Sequence, residues 1–466
     1  MPGPQVFFLI LLTLTRCVSS NSELPSLPAA ALPTGTAHLE RDGKWWAQVG
    51  DRIYHAPRPA SGLSEHVSHY YYALGSESAL PEELRQSRVG GQGRLHLFHI
   101  PPDSRHMQTL VQAAATQVGS RRSSLSSLQK LSHGINLSTQ FPLYKRSELY
   151  ENPLAKTGHL AVERSAVGHV TPTGIYQYLT KITQLPDDFH PTRSSMNATA
   201  SKVVQAFLQD TFQALGLVTC SHSFYSSGNS LTNIIGYVPG TGTDTVTLGA
   251  HYDSIPASGA APGAEDNGSG LAVLLMLAEA FKKSNIIPRK TVYFVAFAGE
   301  EQGLLGSAAF VGELVRPSGA IPKKCQGQSG SFLQRTFEPV QHEAIIMDEV
   351  GWQSTKLKGP TVNLEGYDWA SNILEHLAQS SLMHNGEDLT VVHSNNPFGS
   401  DHMSFLDRAF PAVLTINGDD EAYPNYHQSS DTIVNVNKTL MHLIGRMNMG
   451  ALLRVAGVRG VQEDGH

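Results

Sequence analysis

The chain is poor in charged residues and has no block of like charge. Of its 466 residues, 16% are Asp, Glu, Lys or Arg, and the formal net charge is -6 at pH 7. Proteins bind nucleic acids and anionic membranes through dense basic patches, so this composition argues against both as partners. With 40% hydrophobic residues, the chain can still bury a large core. We therefore expect a globular protein that acts on a neutral, small or peptidic ligand.

Several common catalytic motifs are also missing. The sequence has no Gly-x-Ser-x-Gly turn, no Gly-x-x-x-x-Gly-Lys phosphate loop and no His-Glu-x-x-His zinc helix. These absences argue against serine hydrolases, P-loop nucleotide enzymes and metalloproteases that hold zinc on one helix.

Cysteine is scarce, and its positions fit a secreted protein. Residues 1–20 combine an apolar run at 6–14 with small residues at 18 and 20, which predicts a secretory signal peptide. The apolar run is too short to span a bilayer, so no membrane span is expected. Cys220 and Cys325 remain after removal of this segment. Their number is compatible with one disulfide in an oxidising, extracellular compartment.

Four sequons for N-glycosylation are present. Those at Asn136, Asn197 and Asn437 could carry glycans in a secreted protein. The fourth, at Asn267, lies beside a candidate metal ligand, and we expect it to stay bare.

The N-terminal region at 21–165 has few periodic apolar runs, with a strand predicted at 94–100 and a helix at 106–116. Two interpretations remain open, a propeptide or accessory region and a long, partly disordered extension.

From 166 to 466 the pattern alternates between helical and strand-like segments, which predicts a catalytic domain. We predict a three-layer α/β/α sandwich with a mostly parallel central sheet. The predicted helices lie at 174–185, 203–212, 271–281, 368–378 and 439–455, and the predicted strands at 234–238, 245–250, 292–298, 344–347, 391–393 and 412–416.

Side chains that bind metals follow several of these strands. His251 ends one predicted strand, and Asp253 comes two residues later as a carboxylate that could accept the second imidazole N–H. Asp266 lies in a glycine-rich turn, where its two oxygens could bridge two metals. Taken singly, a histidine at a strand end is more often structural, and an aspartate before a helix is often an N-cap.

The remaining acidic and histidine residues complete this pattern. Glu300 and Glu301 follow a strand between glycines, so one carboxylate could ligate a metal while its neighbour takes a proton from water. The alternative for this pair is an acidic first helical turn. Asp348 ends another strand, and His427 lies in a Tyr-His-Gln-Ser-Ser-Asp segment. Two imidazoles and three carboxylates are a ligand set that zinc accepts.

Six short motifs resemble those of secreted di-zinc aminopeptidases of the bacterial leucyl aminopeptidase type, whose clan includes glutaminyl cyclase and glutamate carboxypeptidase. They run in the family's order over 170–460: His-Tyr-Asp-Ser, Asp-Asn-Gly-Ser-Gly, Ala-Gly-Glu-Glu-Gln-Gly-Leu-Leu-Gly-Ser, Met-Asp-Glu-Val-Gly, Ser-Asp-His and Tyr-His-Gln-Ser-Ser-Asp.

The resemblance implies two Zn²⁺ ions and a role for each residue. His251 and Asp348 would share one ion, Glu301 and His427 the other, and Asp266 would bridge them. Glu300 would act as general base. It also implies a cis peptide after Asp266, and peptide or protein N-termini as substrates. We expect the enzyme to be a monomer.

The sequence departs from the family near the Ser-Asp-His motif. Where such enzymes can place a tyrosine that polarises the scissile carbonyl, this chain has Phe398, which lacks the hydroxyl. Tyr423 and Tyr426 are the alternative donors. Ile416, Phe398 and Tyr423 are predicted to line a pocket for a hydrophobic first residue.

Two other functions remain as alternatives. One is a glutaminyl-cyclase-like acyltransferase that works with a single zinc, and the other is a non-catalytic receptor on a peptidase scaffold. The complete set of five ligands together with Glu300 favours the di-zinc aminopeptidase over both.

Overall fold

The computed structural model describes 152–185, 191–226, 228–255, 260–326, 341–367, 370–394 and 399–462, together with the backbone of seven strands between 38 and 130. The chain divides into two compact units. The first comprises Met1–Phe141 and Ser394–Gly399, and the second comprises Pro142–His393 and Ser400–His466. The predicted domain start at 166 therefore falls inside the second unit.

The strands between 38 and 130 form two antiparallel sheets. The predicted strand at 94–100 is confirmed as strand Leu95–His99, named β6. The predicted helix at 106–116 and the signal segment lie outside the described residues. One sheet has the order β1-β2-β3, and the other has the order β5-β6-β4-β7. Their bounds are β1 His38–Arg41, β2 Lys44–Val49, β3 Arg52–Ala56, β4 Tyr70–Leu74, β5 Arg88–Gln92, β6 Leu95–His99 and β7 Gln129–Lys130.

The second unit is built on an eight-stranded mixed sheet in the order β15-β14-β16-β13-β10-β12-β9-β8. Four neighbouring strands, β16, β13, β10 and β12, pair in parallel, and β9, β8 and β14 pair antiparallel to their neighbours. The strands are β8 Val218–Ser226, β9 Asn229–Val238, β10 Thr245–His251, β12 Thr291–Phe297, β13 His342–Met347, β14 Thr361–Glu365, β15 Thr390–Ser394 and β16 Ala412–Asn417; β11 Ile286–Pro288 and β17 Val458–Val461 form a separate pair.

The four parallel strands are buried on both faces because helices cover the sheet from both sides, as their continuous apolar sequences predict. One apolar core packs against α6 and α8, and the other packs against the remaining helices. The helices are α1 Pro153–Lys156, α2 Leu160–Gly168, α3 Pro172–Thr183, α4 Ala198–Ala214, α5 Gly270–Lys283, α6 Leu305–Val315, α7 Ser371–His384, α8 His402–Leu406 and α9 Lys438–Ala456. The predicted three-layer sandwich is confirmed.

A disulfide joins Cys220 of β8 to Cys325 of a 3₁₀ turn at Lys323–Cys325, as the cysteine count had suggested. No helix within the described ranges combines the length and apolar character that a bilayer crossing requires.

Candidate metal centre

The carboxyl ends of the four parallel strands carry the predicted site. His251 is the last residue of β10, Glu300 and Glu301 follow β12, and Asp348 follows β13. His427 lies in the segment that follows β16. Parallel strands present their carboxyl ends at one edge of the sheet, and ligands of open α/β sheets bind there. Topology therefore brings together side chains that are far apart in the sequence.

The six side chains form one buried cluster with two groups of contacts. In the first, His251 Nε2 lies 3.2 Å from Asp348 Oδ1 and 3.5 Å from Asp266 Oδ1. In the second, His427 Nε2 lies 3.0 Å from Asp266 Oδ2 and 3.0 Å from Glu301 Oε2. Asp266 thus turns one oxygen toward each histidine.

Glu300 lies on the side of the first group. Its Oε2 is 4.0 Å from His251 Nε2, and its side chain is 12% exposed. Its backbone N–H donates to Asp253 Oδ1 at 3.2 Å. Glu300 is therefore more accessible than Glu301, whose side chain is 2% exposed.

The turn that carries Asp266 spans Ala264–Ser269 and has non-helical backbone angles at Asp266 and Asn267, with the predicted cis peptide between these two residues. Asp431 accepts the backbone N–H groups of Glu265 and Asp266 at 3.0 and 3.1 Å. Asn267 Nδ2 donates to the Met347 carbonyl at 2.9 Å, next to Asp348. The turn is therefore fixed to both the β13 end and the segment of His427.

The sequence Pro262-Gly263 before this turn depends on a close backbone approach. Gly263 has φ +49°, and a Cβ there would lie 2.4 Å from the Asp266 carbonyl oxygen and 2.7 Å from Ser254 Cβ. Because any side chain would push the turn away, glycine is required for Asp266 to reach the cluster.

The electrostatic field of the cluster favours a cation. Burial alone would lower the pKa of His427, but the charges and hydrogen bonds of Glu301 and Asp266 raise it to about 9. Burial likewise disfavours protonated His251, yet Asp348 and Glu300 raise its pKa well above 6.5. The surrounding carboxylates thus draw positive charge to both imidazoles.

The donor atoms fit zinc. Ligand atoms of His251, Asp266 and Glu301 lie within 4.8 Å of one another. His251 Nδ1 lies 3.2 Å from the carbonyl oxygen of Asp253 and can donate a proton to it, which leaves Nε2 facing Asp266 and Asp348 as the ligand atom. Mixed imidazole and carboxylate donors are a set that zinc accepts.

The other predicted site residues differ in how close they lie to the cluster. The carboxylate of Asp253 is 3.7 Å from His251 Nδ1, so its backbone carbonyl is the nearer partner. Ile416 is buried in the apolar core on the α6 and α8 side of the sheet. Phe398 lies outside the described residues.

The two tyrosines near His427 make different contacts. The Tyr423 hydroxyl donates to Asp431 Oδ1 at 2.6 Å. The Tyr426 ring stacks on His427, with ring centroids 3.7 Å apart. Tyr423 thus supports Asp431, and Tyr426 covers one face of a candidate ligand.

Several supporting residues were not identified from the sequence. Ser400 Oγ donates to Asp348 Oδ2 at 2.8 Å. Asn233 on β9 accepts from Ala298 N–H at 2.9 Å and donates to the Gly306 carbonyl at 2.8 Å, so it holds both ends of the loop with the two glutamates. Asp431 and Ser400 both lie in motifs that the resemblance singled out, which was the available signal.

The layered fold and the imidazole–carboxylate cluster define an α/β protein with a candidate metal centre at the carboxyl edge of its sheet. Residues 233–452 match the sequence profile of peptidase family M28. The matched segment is just under half of the chain. The match confirms the predicted resemblance and the predicted class of enzyme, a hydrolase of peptide bonds.

Related sequences carry aminopeptidase names. Leucine aminopeptidase 1 of Neurospora crassa is 25% identical over 305 residues, which cover 62% of this chain and 69% of that protein. Aminopeptidase YwaD of Bacillus subtilis is 30% identical over 45% of this chain and 40% of its own length. The chain thus spans about two thirds of the first relative and less than half of the second.

Among solved structures, the LapA aminopeptidase of Legionella pneumophila superposes with a TM-score of 0.55 at 18% identity, over 83% of this chain and 98% of that chain. LapB of the same organism gives a TM-score of 0.53 at 18% identity, over 83% and 99%. At this identity the likeness concerns the fold alone.

Proposed function

We propose that this protein is a secreted zinc aminopeptidase that holds two zinc ions and releases N-terminal residues from peptides. The observation that carries the proposal is the position of Asp266, whose Oδ1 faces His251 and whose Oδ2 faces His427. A single carboxylate between two imidazole–carboxylate groups suits two adjacent cations. His251 and Asp348 would hold one ion, and His427 and Glu301 the other.

Bound zinc supplies Lewis acidity for the scissile carbonyl and lowers the pKa of water toward neutrality. The protein's own contribution is to fix the ligands and to handle the proton. Ser400 and the backbone carbonyl of Asp253 orient Asp348 and His251, respectively. Asp431 holds the turn of Asp266 through two backbone N–H groups. Together these contacts prevent the ligands from rearranging.

Glu300 is the proposed general base. Burial raises its pKa well above 4.5, with the charge of His251 opposing the shift and that of Asp348 adding to it. A carboxylate with a raised pKa can accept a proton and release it again near neutral pH. Glu300 would take the proton from the attacking water and deliver it to the leaving amine.

Cleavage after the first residue is supported by the acidic surroundings of the centre. A free α-amino group can contact buried carboxylates, whereas an N-blocked peptide offers no cation to them. The aminopeptidase names of the relatives given above also support cleavage at the N-terminus. Two of the residues predicted to line a substrate pocket have other roles, since Ile416 is buried in the core and the Tyr423 hydroxyl donates a hydrogen bond to Asp431. A hydrophobic first residue is therefore proposed from the leucine aminopeptidase relative alone.

Secretion is proposed from the N-terminal signal sequence and agrees with the disulfide between Cys220 and Cys325. Among the sequons, Asn197 is exposed at the start of α4, whereas Asn437 donates through Nδ2 to Gln353. We therefore expect Asn197 to be the better glycan acceptor of the two. The predicted propeptide or accessory region at 21–165 is proposed to end before α1, because α1 and α2 pack into the core of the second unit. The enzyme is proposed to act as a monomer.

The proposal is tested by zinc analysis and substrate assays on the purified full-length protein. We expect two zinc ions per chain by mass spectrometry, together with hydrolysis of leucine p-nitroanilide and no hydrolysis of its N-acetylated form. One zinc with cyclisation of N-terminal glutamine would favour the cyclase alternative. A protein without zinc and without turnover would favour the receptor alternative. Either result would overturn the aminopeptidase proposal.

A further inference from the structure

Arg193 is a fully buried cation directly beside the metal centre, although it lies upstream of the segment that matches the family profile. Its guanidinium donates Nε–H to the Tyr252 carbonyl at 2.8 Å and Nη2–H to the Gly263 carbonyl at 2.8 Å. Nη1 donates to the Pro262 carbonyl. Tyr252 directly follows His251, and Gly263 precedes Asp266 by three residues. One side chain thus joins the segments that carry these two ligands.

The residues around Arg193 extend this connection. The Arg193 N–H donates to Ser254 Oγ at 3.1 Å, and Ser254 in turn donates to the Ala261 carbonyl at 2.9 Å. Ser195 Oγ accepts the Gly299 N–H at 2.9 Å, directly before Glu300. The segment Thr192–Ser195 therefore contacts three of the loops that form the centre.

The positive charge of Arg193 is countered by carboxylates of the candidate metal ligands and of neighbouring residues. Burial lowers the pKa of Arg193 to about 10, while the charges of Asp431, Asp266, Asp253 and Glu301 oppose this decrease. The guanidinium therefore stays protonated at neutral pH. A permanent positive charge among buried carboxylates reduces the cost of keeping them ionised.

We propose that Arg193 is a positioning residue that fixes the spacing between His251 and Asp266 and keeps the bridging carboxylate ready for metal. This inference rests on the proposed zinc function. Within the described part of the chain, the hydrogen bonds of Arg193 go to three backbone carbonyl groups and to Ser254, so it acts through the backbone of the two segments. A lysine cannot replace it, because its single ammonium group lacks the planar fork that reaches three carbonyl groups at once.

The main experiment compares Arg193→Lys with Arg454→Lys in the full-length protein. Arg454 is a matched control because it is also a buried arginine, 4% exposed, but its partner is Glu163, away from the centre. We expect Arg193→Lys to weaken zinc retention about tenfold in chelator competition, the range seen when residues behind metal ligands are replaced. Arg454→Lys should lower the melting temperature and leave zinc retention unchanged.

Kinetics separate positioning from a general loss of stability. With zinc in excess, Arg193→Lys should still lower kcat, because His251 and Asp266 are misplaced, whereas Arg454→Lys should retain the kcat of the unmodified protein. Equal zinc retention and equal kcat in Arg193→Lys and the unmodified protein would overturn the inference.

Two further variants keep the test decisive if Arg193→Lys fails to fold. Ser254→Ala removes only the hydroxyl between Arg193 and Ala261 and should lose zinc several-fold faster with an unchanged circular dichroism spectrum. Arg193→Ala should recover zinc when methylguanidinium is added, and methylammonium should have no effect. The inference is contradicted if Ser254→Ala loses zinc at the rate of the unmodified protein. It is also contradicted if methylguanidinium and methylammonium restore zinc binding to Arg193→Ala equally.

The outcomes also separate this inference from the proposed function. If the unmodified protein binds no zinc and cleaves no peptide, the aminopeptidase proposal fails. If it binds zinc and cleaves peptides while the Arg193 variants behave like it, only the role of Arg193 is rejected.

Discussion

Glu300 and Glu301 are adjacent in the sequence but face different histidines. Glu301 lies 3.0 Å from His427 and is nearly inaccessible, whereas Glu300 approaches His251 at 4.0 Å and keeps some exposure. The two residues lie in a turn after β12, and their side chains leave it toward different histidines, so two neighbouring carboxylates can have separate roles. The buried one suits a metal ligand, and the more accessible one suits proton transfer with a substrate.

This difference predicts the effects of two matched substitutions. Glu300→Gln keeps the size of the side chain but removes its proton acceptor, so we expect kcat to fall by about a hundredfold or more with zinc content unchanged. Glu301→Gln should lose one zinc ion. Zinc analysis and single-turnover rates on both variants check this. Near-normal turnover in Glu300→Gln would contradict the base assignment.

The sequence predicted the residues at the strand ends but not the residues that support them. His251 ends an apolar strand, Asp348 directly follows one, and Glu301 comes four residues after another, so the strand pattern alone brings them to one edge. Arg193 lies in an irregular segment between α3 and α4, and it reaches the centre through carbonyl groups that only the folded chain brings together. Nothing in the sequence around Asn233 distinguishes it from other polar residues of a strand. Hydrogen bonds between distant segments leave no periodic signal.

At the scale of elements, the long apolar strands and helices were predicted and the polar or small-residue elements were missed. Strand β10 and helix α5 were predicted within a few residues of their observed ends. β8 was missed because it is an edge strand that contains several serines and half-exposed positions. α6 begins in a sequence rich in glycine, serine and alanine, so its buried and exposed faces differ little in hydrophobicity.

The contact of α2 with α7 and α9 depends on one buried carboxylate. Glu163 accepts hydrogen bonds from Arg454 Nη2 at 2.6 Å and Asn152 Nδ2 at 2.8 Å. Its Oε1 also lies 2.8 Å from His384 Nε2. Burial would raise the pKa of Glu163, but these hydrogen bonds and the charge of Arg454 hold it below the usual 4.5.

Glu163→Gln should therefore destabilise the second unit in a pH-dependent manner. At pH 7 we expect a loss of about 3 kcal/mol, because a buried arginine loses its counter-charge. A lowered pKa means that the carboxylate stabilises the fold above pH 4.5, and that this contribution disappears as the pH falls through the folded-state pKa. Urea unfolding of both proteins at pH 7 and in acid measures this, and a difference that grows in acid would contradict it.

At the scale of the whole molecule, the position of the unit boundary changes the interpretation of the N-terminal region. Sequence patterns placed the start of the catalytic domain at 166, because the apolar periodicity is weak before that point. The second compact unit begins at Pro142, and α1 and α2 pack into its core. Leu154, Val167 and Glu163 are all nearly inaccessible to solvent. The weak periodicity reflects short helices that bury a few residues each.

Two shortened chains test this boundary. A chain that starts at Pro142 keeps Leu154 and Glu163, so we expect it to fold and bind zinc. A chain that starts at 166 exposes the apolar surface under α1 and α2 and leaves Arg454 without its carboxylate. We expect that chain to be insoluble or to melt at least several degrees lower, since about 1 kcal/mol already shifts a melting temperature by a few degrees.

Glu163→Gln in the chain that starts at Pro142 serves as the control for charge. If the loss of the ion pair explains the whole effect, this variant and the chain that starts at 166 should melt at the same temperature. We expect the chain that starts at 166 to be less stable, because it also loses the buried side chain of Leu154 and the partly buried side chain of Val162, which packs against the core. A fully buried aliphatic side chain contributes about 2 kcal/mol. Equal stability of the two shortened chains without substitution would place the boundary at 166 after all.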